Sequence, residues 1–82
     1  MGTLDRLAEK LAEDTMKAQK ELENERLFVE VGSILAASSQ SLEEAYLTEM
    51  RVRMAEEKAR NFLIKKVKDA RAAKAEAPDA SE

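Results

Sequence analysis

Apolar residues recur at helical spacing along both halves of the chain. With successive side chains about 100° apart, Leu4, Leu7, Ala8, Leu11, Thr15, Ala18, Leu22, Val29 and Ala36 fall within one stripe, roughly a third of the circumference wide. Asp5, Glu9, Glu13, Lys17, Lys20 and Glu23 occupy the remaining surface. From Leu27 the pattern broadens. Leu27, Phe28, Val29, Val31, Ile34 and Leu35 point in nearly every direction, which a helix tolerates only where neighbours cover it on more than one side. The run from Leu27 to Val31 also has strand-like composition, and Gly32 is a candidate for ending a helix early. No second strand-like run is present to pair with it, so a continuous helix is the expectation.

The pattern stops and restarts at Ser38-Ser39-Gln40-Ser41, where Ser41 and Glu44 have the S-x-x-E form of a capping box. Beyond it, Val52, Ala55, Ala59, Phe62, Leu63, Val67 and Ala70 step by threes and fours as the main stripe of a second helix. Leu47, Met50 and Met54 form a separate stripe near its start. After Lys74 the sequence AEAPDASE is small, acidic and interrupted by proline. The fold class predicted is all-α: a long antiparallel helical hairpin, coiled-coil-like, forming one domain over 1–74. Helix 1 is expected at about 3–37, a turn at 38–41, helix 2 at about 42–74 and a disordered acidic tail at 75–82.

Composition adds a constraint on assembly. The chain is 38% charged with two glycines and one proline, which favours helix, while its 44% apolar content leans on alanine and methionine and yields modest burial. A domain of this size tends to need disulfides, a metal, self-association or very well packed helices, and the chain has no cysteine and no histidine. Self-association is what remains. In a hairpin the broad apolar regions of both helices meet at the turn, where one helix pair cannot hide them. The expected state is therefore a homo-oligomer, with a dimer favoured, in which two hairpins build a four-helix bundle. Leu27, Phe28, Val31, Ile34, Leu35, Leu47, Met50 and Met54 are the expected oligomer or partner interface.

Charge is unevenly placed. Residues 1–50 hold eleven acids against five bases, whereas 58–74 hold seven bases against Asp69. Such a run can contact phosphate, and Lys58, Lys65, Lys66, Lys68 and Arg71 are the candidates. These cations are spread around the helix without interleaved aromatics, so a solvated role is expected and nucleic-acid binding is the alternative.

Little catalytic chemistry is available. Without histidine or cysteine the commonest general base, thiol nucleophile and zinc ligands are missing, and no cofactor, metal or catalytic residue is expected. Glu25 falls in the apolar stripe one turn from Glu21, where it would set helix register or pair with Arg26 or Arg51. Tyr46 and the serines Ser33, Ser38, Ser39 and Ser41 read as turn and cap residues. The longest apolar-rich stretch, residues 27–37, is too short to cross a bilayer, and the first fourteen residues lack a signal-peptide core. The expected protein is a cytoplasmic, non-enzymatic, self-associating subunit, adaptor or scaffold.

Overall fold

The computed structural model describes residues 2–76. These form three helices, α1 over Thr3–Leu22, α2 over Leu27–Ser38 and α3 over Gln40–Glu76. The all-helical class matches the sequence pattern, but the long first helix expected at 3–37 is two helices, broken at 23–26.

The break is built from local hydrogen bonds. Glu23 adopts the left-handed conformation, with φ 54° and ψ 42°. Its N–H donates to the Lys20 carbonyl at 3.3 Å and the Asn24 N–H to the Gln19 carbonyl at 3.0 Å, the paired closure of a Schellman motif. Glycine usually occupies that left-handed position, and a glutamate there costs about 1–2 kcal/mol. Asn24 then turns the chain, because its Oδ1 accepts from the Arg26 N–H at 3.1 Å. Gln19 completes the restart by accepting from the Phe28 N–H through its Oε1 at 2.9 Å, so a side chain of α1 caps the start of α2. Glu25, placed in a buried seam by its helical angle, lies exposed in this turn.

The second link is a single residue. Ser39 is extended, with φ −156° and ψ 105°. Its N–H closes α2 on the Leu35 carbonyl at 2.7 Å, and its Oγ accepts from the Leu42 N–H at 3.2 Å to cap α3. The cap is therefore Ser39, two residues before the expected Ser41, which lies inside the helix. Both serines stand in a serine-rich run, and Leu42 fills the place where a capping-box glutamate would mark the true start.

The helices run up, down and up. Thr15 of α1 meets Tyr46 of α3, and Lys20 pairs with Glu57, so α1 and α3 run the same way. α2 runs against both, with its Phe28 carbonyl reached by Tyr46 and Gly32 facing Leu47. Ala8, Ala12, Tyr46 and Met50 form the buried centre, flanked by Leu11, Met16, Phe28, Val31, Leu35 and Leu42 among others. Only the first half of α3 belongs to this bundle. Every residue from Lys58 to Ala75 is exposed, and the helix continues as an arm that gives the molecule a long axis of 65 Å. The expected tail overlaps the last two residues of α3, and its remainder, 77–82, lies outside the described residues.

Gly32 neither ends a helix nor marks a forbidden approach. It lies inside α2 without positive φ, and an added Cβ would meet Leu47 at 3.6 Å and Tyr46 at 3.8 Å, ordinary van der Waals distances. Gly32→Ala should therefore raise stability by about 0.5–1 kcal/mol, the helix-propensity difference. Urea unfolding followed by circular dichroism checks this, and a lower midpoint would show that the approach is tighter than those distances.

Candidate interaction surface on the third helix

Tyr46 and Thr15 form a polar constellation in the centre that is structural in form. Tyr46 is fully buried, and its hydroxyl donates to the Phe28 carbonyl at 3.1 Å while lying 3.4 Å from Thr15 Oγ1. Thr15 is itself buried and donates to the Leu11 carbonyl at 2.8 Å. One phenol thus joins all three helices. Its position corrects the reading of Tyr46 as a turn or cap residue. Burial pushes the phenol above its usual range because the anion would lose hydration, and the Thr15 hydroxyl offsets part of that rise.

The residues expected at an oligomer interface are mostly spent within the chain. Met50 is fully buried, and Phe28, Val31, Leu35, Leu47 and Met54 pack against the same core. Leu27 is half-buried. Ile34 alone of the eight is well exposed, at 69%. The physical reason is the break at Glu23: α1 folds back and supplies the cover that a two-helix hairpin lacks.

The same rearrangement leaves a different surface bare. α3 packs on α1 and α2 through Leu42, Tyr46, Met50 and Met54, a row at four-residue spacing. The stripe expected to be its main buried face lies on the opposite side. Val52 is 61% exposed, Phe62 65% and Leu63 58%, and Ala55, Ala59 and Ala70 are exposed with them. Val67 at one edge of the stripe is exposed as well, and Ile64 lies on another side of the arm. Lys66 falls within the stripe, its ammonium 6.0 Å from the Phe62 ring centroid.

The candidate phosphate contacts all lie on this arm. Lys58, Lys65, Lys66, Lys68 and Arg71 are exposed, with Lys65 bonded to Asp69 at 3.0 Å. At helical spacing Lys58, Lys65, Lys68 and Arg71 share the side away from the stripe, while Lys66 does not. Two open grooves, of about 630 and 530 Å³, flank the point where the arm leaves the bundle. Met16 and Lys20 line both, with Met54 and Lys58 in one and Arg53 and Arg60 in the other. Among the described residues, no group of three or more acidic side chains is placed to hold a metal ion. No described helix is long and apolar enough to cross a membrane. No protein-family model, curated protein or solved structure matches the chain.

Tyr46 is the only tyrosine, and tryptophan is absent, so ultraviolet absorbance reports this phenol alone. Its titration midpoint in the folded protein should lie above the ordinary tyrosine value near 10. The folded state holds the proton more tightly than the unfolded chain, so the associated stability is complete below the unfolded value and is lost as pH rises through the folded one. Tyr46→Phe should remove that part of the alkaline loss, measured as the difference between the two proteins' urea midpoints across pH 9–12. Equal losses in both would place the phenol in water.

Proposed function

We propose that this chain is a non-enzymatic protein-association module, a small self-associating subunit or adaptor that works through the exposed face of α3. One observation carries the reading: among the described residues the stripe from Val52 through Phe62 and Leu63 to Ala70 is left exposed, along a helix whose residues from Lys58 to Ala75 are all exposed. Most helical stability in proteins comes from packing an amphipathic face, and the described residues give this stretch no such packing. Its exposed ion pairs, Arg60 with Glu56 and Lys65 with Asp69, each contribute about 0.3–0.5 kcal/mol. Burial of the stripe against another helix would supply more, about 1.5–3 kcal/mol for a fully buried Phe or Leu. The grouping of large apolar side chains on one side is the form of helix that docks on a helical partner.

Light scattering tests the reading with the wild-type chain and a Phe62→Glu, Leu63→Glu double variant. Both positions lie outside the bundle, so the core around Tyr46 should fold in either protein. The wild type should have the mass of more than one chain, and the variant should associate at least a hundredfold more weakly. A single-chain mass for the wild type at high concentration, or unchanged association in the variant, would end the proposal.

A second reading, contact with nucleic-acid phosphates, has one observation in its favour. Lys58, Lys65, Lys68 and Arg71 lie on one side of the arm and leave the apolar stripe free. Phosphate-driven binding must weaken steeply with salt. Under this reading, RNA or DNA duplexes should shift in a gel at 50 mM salt and be released by 200 mM. No shift at micromolar protein would remove it.

A further inference from the structure

The bare face of α3 does not stop at the bundle. Ser41, Glu44, Thr48 and Val52 continue it toward the start of the helix, and all four are exposed because α1 and α2 pack on the other side. At 1.5 Å per residue the open face runs for about 48 Å, from Ser41 to Ala73. Few partners are long enough to cover it. One that is long enough is α3 itself.

Charge along the helix selects how two such faces would meet. The half within the bundle, residues 40–57, holds five acids and two bases, net −3. The arm, residues 58–76, holds seven bases and two acids, net +5. Glu44 and Lys66 are charges within the face itself, and parallel copies would set each of them against its like. Antiparallel copies would set each positive arm against the partner's negative half.

We infer that the exposed face of α3 is the seat of a second copy of this chain, running antiparallel and centred near Ala55, so that each arm lies along the bundle half of the other molecule. This rests on the self-association proposed above and adds its surface and direction. In such a pairing Phe62 comes level with Thr48 of the opposite chain, and Lys66 with Glu44. The lysine that interrupts the apolar stripe thereby gains an acidic counterpart. The two bundles sit at opposite ends, each with its α1 and α2 turned away from the contact, so they do not collide. An unrelated acidic helix could satisfy the arm but would leave the acidic half of α3 facing like charge.

The chain contains no cysteine, so single cysteines can be introduced at Ala55 and, separately, at Ala73, both exposed. Spin labels there report distances within the assembly by double electron–electron resonance, with the mass of the same samples measured by light scattering. The antiparallel dimer should show Ala55→Cys labels within about 20 Å and Ala73→Cys labels about 50 Å apart, twice the eighteen-residue rise. A dimer with short distances at both positions would be parallel and would overturn the inference while leaving self-association intact. A dimer with a long distance at Ala55→Cys would pair through another surface and would overturn it too. A single-chain mass at every concentration would overturn the inference and the self-association beneath it together.

Discussion

Burying a tyrosine in so small a protein imposes a requirement on everything near it. The ring removes a large apolar area from water, but its hydroxyl must find a partner, since an unpaired buried hydroxyl costs on the order of 1–3 kcal/mol. Here the Phe28 carbonyl of α2 and Thr15 of α1 stand on either side of the Tyr46 hydroxyl of α3. The three helices cannot be arranged independently once that is satisfied. Small residues make the space: Ala8, Ala12 and Gly32 lie in the buried region, and Gly32 faces the ring edge. Met50, one turn further along α3, fills what remains.

The two links serve that arrangement differently. At residues 23–26 the chain accepts a left-handed glutamate to reverse direction within four residues; Asn24 then satisfies the amide of Arg26 at the entry to α2, and Gln19 that of Phe28 within it. At Ser39 one extended residue suffices, because the same serine both closes α2 and opens α3. Neither link leaves slack for the helices to slide.

Much of the fold was legible in the sequence, and the errors have physical causes. The helical class followed from composition and spacing, and the restart near Ser38–Ser41 was located to within two residues. The reversal at Glu23 was not seen, because its signal is Asn24 flanked by glutamates, with no glycine or proline to punctuate it. A two-helix hairpin needed an outside partner to cover Leu47, Met50 and Met54, whereas the chain covers them with its own α1 and α2. The role of α3's two stripes was then inverted: the longer, more regular one is exposed, and the shorter one, aligned with Tyr46, is buried. The row Leu42, Tyr46, Met50, Met54 at four-residue intervals was the available clue, outweighed by the length of the competing stripe. Of the exposed face of α3, the sequence therefore disclosed the residues but assigned them to the interior.

α3 is one uninterrupted helix from Gln40 to Glu76, gripped over its first half and free over its second. The free part is therefore a lever whose pivot is the end of the gripped half, where Glu57 pairs with Lys20. From there to Ala73 the helix runs about 24 Å, so a tilt of about 10° at that point sweeps the tip through about 4 Å. A repacking too slight to disturb the helices themselves is magnified into a displacement of about half the spacing between packed helices.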